Sequence, residues 1–507
     1  MPVELSYPGV YVEEVASGVR TITGVATSIA AFVGQALRGP VDEPVTVRSF
    51  ADFEREFGGL WRGSHLGYSV KDFFDEGGST AIIVRVFRGD ADDTREITVG
   101  KVKLSARSAG AWGRRLRAET DLNVDSGEFN LTVDLMPDAN FDATTQPETR
   151  EVFRNLSRDP ASPRRVDLIV NAQSRLARVA TLPTSAVVAD GPSAKYADSK
   201  VTDGAVITSA EVQGNESQKT GIFALEKADL FNLLVIPPYS GVDTTLVGDR
   251  TVDDATLTAA VRYATRRRAI VIVDRQWDFA AALAGGLAFL PEKNAAAYFP
   301  LVRHPDPLLS GALATFAPSG AIAGVIARTD ATRGVWKAAA GTDAQLTTVT
   351  DLSIALTDRE IGSLNPLGIN CLRVDPVAGP TVWGARTRAG ADRAASEWKY
   401  LPIRRTALFI EESLSRGLQW AVFEPNDEPL YAQIRLNVGS FMYDLFRRSA
   451  FEGRTARQAF FVKCSTETTT ALDREHGIVN ILVGFAPLKP AEFVVIRLQQ
   501  MAGQLTV

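Results

Sequence analysis

Cysteine and histidine are scarce in this sequence, and the scarcity removes whole classes of function. Two cysteines, Cys371 and Cys464, stand far apart and outside any C-x-x-C pair, so neither a disulfide framework nor a thiolate metal site is expected. Reduced synthesis inside a cell fits that usage. Three histidines, His65, His304 and His476, fall in separate segments without ligand spacing, and they read as ordinary surface or turn residues, not as a metal set or a triad. A P-loop, an H-E-x-x-H zinc motif and a G-x-G-x-x-G after a strand are also lacking. The expectation is a chain with no catalytic residues, no cofactor and no metal.

Long apolar runs are missing as well. None approaches the ~20 residues a membrane span needs, and Met1-Pro-Val-Glu-Leu-Ser-Tyr-Pro8 has neither the basic nor the apolar stretch of a secretory signal. Membrane insertion and that export route are not expected. Basic excess is missing too: the net charge is −5, which gives no concentrated positive surface for direct nucleic-acid binding.

What is present is globular. Hydrophobic residues at 45% and charged residues at 23% are ordinary for packed domains, and 507 residues exceed what one core organises, so two to four domains are expected. From Gly34 to Phe87 the pattern is α/β. Ser49 is a good N-cap, Phe50, Phe53 and Phe57 follow on one helical face, and Gly58-Gly59 stops the helix. A second helix over about Leu66 to Glu76 leads into Ala81-Ile-Ile-Val-Arg-Val-Phe87, a buried strand.

Between about Gly89 and Lys219 aromatics thin out and short alternating pieces appear, among them Phe129 to Leu135 and Val166 to Val170, which predicts a β-rich insert built as a small sandwich or barrel. The α/β pattern then resumes with a strand from Leu233, a helix from about Asp254 to Arg267 and a strand from Ala269 to Asp274. The fold class expected is therefore α/β plus β and multidomain. Residues 34–88 and 220–378 form a middle α/β domain, residues 89–219 an inserted outer domain, and residues 379–507 an inner α+β core that also takes in an arm and linker over 1–33.

Three local features could carry chemistry. Gly77-Gly-Ser79-Thr-Ala81 superficially resembles a nucleophile elbow but runs helix to strand, the reverse of an elbow, so Ser79 reads as a turn residue. Asp274 follows a strand, where α/β ligand sites form, yet without a second catalytic partner it reads as a helix cap. Arg266-Arg-Arg268 ends a helix whose dipole it complements. The chain ends read differently. Gly9 to Val15 forms a short strand, with Val10, Tyr11, Val12, Glu13 and Val15 as pairing residues, followed by a flexible connector. Phe493, Val494, Val495, Ile496 and Leu498 form another that is apolar on both faces. Terminal strands with exposed edges invite pairing with other chains.

The ordered blocks along the chain resemble contractile tail sheath proteins. The opening is carried by Tyr7-Pro-Gly-Val-Tyr-Val-Glu-Glu14 with Gly24 to Gly34 and Gly39-Pro40. Further blocks are Asn294 to Pro300, Val382-Trp-Gly-Ala-Arg-Thr387, Trp398-Lys-Tyr-Leu-Pro-Ile-Arg-Arg405, Phe409-Ile-Glu-Glu-Ser413, Gln419-Trp-Ala-Val-Phe-Glu-Pro-Asn426 and Ala486 to Val495. Gly110-Ala-Trp-Gly-Arg114 departs from the family's Trp-Gly-Asn, and the insert is where the similarity is weakest.

The resemblance implies a non-enzymatic subunit polymerised as stacked hexameric rings around an inner tube, extended and metastable until a baseplate triggers contraction. It implies N- and C-terminal strands donated between neighbouring subunits. The expected partners are further copies of the chain, the inner tube protein, and baseplate and terminal cap proteins; assembly in the bacterial cytoplasm is implied. The basic residues from Arg386 to Arg405 are either scattered surface charges or, in the segment the family places near the tube, a tube-facing patch with Arg388, Arg393 and Arg404 among the contacts. The competing reading is an oligomeric α/β hydrolase or ligand-binding protein.

Overall fold

The computed structural model describes residues 20–89, 96–123, 128–142, 144–179, 181–190, 201–242, 251–274, 278–284 and 290–493. It divides into two compact units, one of Thr27–Arg333 with Ala339–Leu401, the other of residues 20–26, 334–338 and 402–493. The sequence pattern sets these boundaries at residue 379 and between residues 33 and 34. They fall elsewhere because the strands at Ala30 and Gly379 hydrogen-bond into the α/β sheet and are held by its ladder.

The larger unit begins with β1 (Ala30–Gly34), β2 (Val45–Val47), α1 (Phe50–Phe57), α2 (Leu66–Asp75) and β3 (Ala81–Arg85). α1 starts where Ser49 accepts from Asp52 N (3.2 Å) and stops at Gly58, whose φ of 92° suits glycine. Phe53 and Phe57 stack at 5.3 Å on its buried face, as the spacing predicts.

The insert follows with β4 (Glu96–Val99), β5 (Val102–Ala106), β6 (Leu116–Asn123), β7 (Glu128–Leu135), β8 (Thr149–Leu156), α3 (Val166–Gln173) and β9 (Ala177–Val179). Two three-stranded antiparallel sheets, β4-β5-β9 and β6-β7-β8, share one core that includes Val102, Leu104, Leu131 and Val133. Val166 to Val170 is helix and not the strand expected. Val166 and Val170 are buried four residues apart on one helical face, a spacing that a five-residue apolar run does not distinguish from alternation.

The chain then returns through α4 (Ser209–Gln213), β10 (Leu233–Val235), α5 (Asp254–Arg266), β11 (Ile270–Val273), α6 (Phe279–Leu283), β12 (Ala295–Phe299), β13 (Val302–Asp306), β14 (Ala312–Phe316), α7 (Ser319–Arg333), β15 (Asp351–Leu352), α8 (Asp358–Leu364), β16 (Ile369–Asp375) and β17 (Gly379–Trp383). One sheet of eight strands runs β17-β16-β12-β11-β10-β1-β3-β2, parallel inside and antiparallel at both edges. Its central strands are buried on both faces, as a covered parallel sheet requires. On one face Phe32 meets Phe73 of α2 edge-on at 5.6 Å. There α2 and α7 cross closely, since a Cβ on Gly320 would sit 2.1 Å from the Ser69 carbonyl oxygen and one on Gly324 2.6 Å from that of Phe73.

Charges are buried in this unit and satisfied there. Arg85 is fully buried and donates to three carbonyls, Ala36 O (2.9 Å), Gly39 O (2.7 Å) and Ala109 O (2.8 Å). Burial brings its pKa down to about 10, with Asp203 opposing. Glu76 accepts from Arg328, Thr347 and Thr348. In the insert, Asp134 is held between Arg117 and Arg150.

The smaller unit contains nearly all of α9 (Leu401–Gly417), then α10 (Glu428–Arg447), α11 (Ala456–Ala459), β18 (Phe460–Lys463), α12 (Ala471–Glu475) and β19 (Leu482–Phe485). Leu430, Tyr431, Ile434, Val438, Met442 and Leu445, spaced by three and four, put one face of α10 into its core.

Candidate functional site

The enzyme-like features resolve into structure. Ser79 lies exposed in the turn between α2 and β3. Asp274 is a cap as expected, but of a different helix: its carboxylate accepts from Ser319 N (3.1 Å) and Ser319 Oγ, at the first residue of α7. Burial pushes its pKa up to about 7 against those two bonds. His476 is exposed, whereas His65 and His304 are buried, which corrects their reading as surface residues. His304 stacks on Phe316 at 4.0 Å and lies 3.3 Å from Asp72 of α2. Burial opposes its charge, but Asp72 more than offsets this and its pKa is raised. Among the described residues no group of His, Cys, Asp or Glu could hold a metal ion, and no helix is long and apolar enough to cross a membrane.

The basic segment from Arg386 to Arg405 is not a scatter of surface charge. Arg386 is fully buried and donates to Asn365 O (2.8 Å) and Asp392 Oδ1 (3.0 Å). Arg388 is buried over the Leu367 (3.0 Å) and Gly368 (2.9 Å) carbonyls, and burial takes its pKa to about 10. Arg404 is buried beside Glu411 (3.1 Å). Arg393 is exposed. The turn after α8 aims its carbonyls inward, and the arginines supply the donors those carbonyls need. Carbonyl orientation has no signature in the sequence, so this burial is not legible there.

The smaller unit has the surface most suited to assembly. Residues 20–26 lie across its helices: Arg20 N donates to Asn437 Oδ1 (3.0 Å), Val25 N to Ser413 Oγ (3.1 Å), and Ile22 is buried. A Cβ on Gly24 would meet Phe409 at 2.8 Å. Beside α10, β18 and β19 pair antiparallel from Phe460↔Phe485 to Lys463↔Leu482, and among the described residues this sheet has two strands. Two strands alone are marginal in water, and their outer edges are templates for more. Phe493 is exposed. Val10, Tyr11, Val12, Glu13, Val15, Val494, Val495, Ile496 and Leu498 lie outside the described residues.

Comparison with known proteins places the chain among sheath folds. Residues 254–388 match the phage tail sheath protein central domain, and residues 393–501 match the phage tail sheath C-terminal domain. A search of curated proteins gives no match. Among solved structures, the sheath complex of an extracellular contractile injection system, PVC, in its contracted state is similar with a TM-score of 0.59 and 20% identity, covering 99% of each chain. The contracted helical sheath of the anti-feeding prophage gives 0.58 and 20%, covering 98% of this chain and 100% of that one. A sheath tail protein of Listeria innocua gives 0.61 and 14%, covering 92% and 96%.

Proposed function

We propose that this chain, a contractile sheath structural protein of the phage tail sheath family, polymerises as stacked hexameric rings around an inner tube. The polymer is held extended and metastable on that tube, and contraction drives the tube through a target envelope. The observation that carries this reading is the ordered pair of sheath domains over residues 254–388 and 393–501 on a fold that matches contracted sheaths across nearly the whole chain. Stored energy in such a lattice is kinetic stability: subunits repack into a tighter arrangement once a trigger lowers the barrier. Nothing in this cycle needs a bound nucleotide or catalytic residue.

In the proposed polymer, Val10 to Val15 and Phe493 to Leu498 join the sheets of neighbouring subunits. The two-stranded β18–β19 sheet supports this, since added strands would satisfy its open backbone edges. The insert over 89–219 takes the outer surface and the region from 379 faces the tube. A tube contact through Arg388, Arg393 and Arg404 belongs to the same proposal. In the chain by itself Arg388 and Arg404 are buried, so the contact through these three begins with Arg393. Assembly in the bacterial cytoplasm, with baseplate and terminal cap proteins at the ends, completes the reading.

Electron microscopy of the protein co-expressed with its tube tests it. Hollow, striated cylinders are the expected result, and removal of residues 492–507 should leave folded, soluble subunits without cylinders. Isolated small oligomers from the full chain would favour the ligand-binding alternative and contradict the proposal.

A further inference from the structure

The two ends of α10 carry charge of opposite net sign: Arg474 lies among the acidic residues at one end, and Asp444 and Glu452 lie among the arginines at the other, so each patch is an excess of one sign. At the N-terminal end stand Glu424, just before the helix, and Glu467 and Glu475, on the segment that Asn426 ties in by donating to Ile478 O (3.1 Å). At the C-terminal end stand Arg447, with Arg454 in the following loop and Arg457 in α11. All six are exposed, and among the described residues none has an ion-pair partner. Three other pairs in the unit close locally, Arg404 with Glu411, Arg416 with Glu412 and Arg435 with Glu428. A 20-residue helix is about 30 Å long, so the two patches, at opposite ends of α10, are too far apart to neutralise each other.

Apolar groups accompany both patches. At the acidic end Phe423 is fully exposed and holds φ at +70°, a left-handed backbone that a residue with a Cβ adopts only under constraint. Val422 beside it is exposed too, as are Leu472 and Ile478 on the segment that Asn426 ties in. At the basic end Tyr443 is half exposed one turn before Arg447, on the same helical face. An apolar centre with a charged rim is the anatomy of a protein interface, and the rims here have opposite sign.

We propose that the acidic, Phe423-bearing end of the smaller unit docks on the basic, Tyr443-bearing end of the same unit in a second copy of this chain. Such a contact is heterologous: each copy presents one patch forward and the other behind, so the association continues into a closed ring or an open helix. Opposite charge fixes the direction of joining and repels the reversed one, in which like patches would meet. This deepens the sheath reading and rests on it, because it names surfaces through which neighbouring subunits orient before strands are exchanged.

Two full-length variants test it, E424K/E467K/E475K and R447E/R454E/R457E, with circular dichroism to show that each is folded. Polymer is measured by sedimentation and electron microscopy at low salt. The wild-type chain should polymerise, and each variant alone should yield at least tenfold less polymer, since like charges then face each other. An equimolar mixture should restore polymer to at least half the wild-type yield, because the reversed patches are complementary in alternating order. The contact is overturned if either variant polymerises as the wild type does, or if both fail and the mixture fails too, which would assign the patches to a different protein. A wild-type chain that does not polymerise at all overturns the sheath reading itself and this contact with it.

Discussion

The two units treat charge and strand edges in opposite ways. In the larger unit Arg85, Glu76 and Asp274 are buried with their partners supplied by the same chain, and an eight-stranded sheet is covered on both faces. In the smaller unit the sheet has two strands among the described residues, large apolar residues such as Phe423 and Leu472 face water, and charges of opposite sign collect at opposite ends. The larger unit has the economy of a module that folds by itself. The smaller one leaves open what the proposed polymer would complete.

If that contrast holds, substitutions in the larger unit should break folding. The largest effect is expected for Arg85→Ala, which strips three buried carbonyls of their donor. A loss of about 3–5 kcal/mol is expected, by analogy with other buried charged groups whose partner is removed, read as a lowered denaturation midpoint. An unchanged midpoint would deny that the larger unit depends on internal satisfaction of its charges.

Gly320→Ala sharpens the same point through packing. The added methyl would press on the Ser69 carbonyl oxygen and force α2 and α7 apart; about 1–3 kcal/mol of overpacking cost is expected in thermal melts.

A pH-dependent effect is expected at Asp274. Its folded pKa of about 7 lies above the unfolded value of about 4. Its contribution is therefore greatest at low pH, where both states are protonated, and is lost as pH rises from about 4 through 7. The Asp274→Asn variant keeps an acceptor for Ser319 N but does not ionise. Its stability relative to the wild type should rise from pH 4 to pH 7 and then level off, and a pH-independent difference would place the cause elsewhere.

The smallest effect on folding is expected for Arg393→Glu, an exposed change that should leave the melting midpoint within about 0.5 kcal/mol of the wild type. If Arg393 faces the tube, tube-templated assembly should fall most at low salt, and the deficit relative to the wild type should shrink as salt screens the contact.

The sequence was most legible where chemistry is local. α1 is written in Ser49, the phenylalanine spacing and Gly58, and α5 and β11 in their periodicity. It was least legible where partners are distant backbone atoms. Nothing near Arg85 announces the Ala109 carbonyl, and the arginines before Arg405 read as surface charge because the turn that receives them, at Leu367 and Gly368, has no marker of which way its carbonyls point. The pairing of β1 with β10, some two hundred residues later, is a product of the insert's self-contained core and not of any local signal. At the assembly surface no run along the sequence marks the acidic end of α10: Asn426, two residues after Glu424, reaches the Ile478 carbonyl, three residues after Glu475.

Helical reconstruction of the assembled polymer by electron cryo-microscopy, at a resolution that separates strands, tests the central claim most directly. The account predicts that the β18–β19 sheet gains strands from neighbouring chains, drawn from residues 10–15 and 493–498. A polymer in which that sheet remains two-stranded, with those residues folded back on their own subunit, would contradict it.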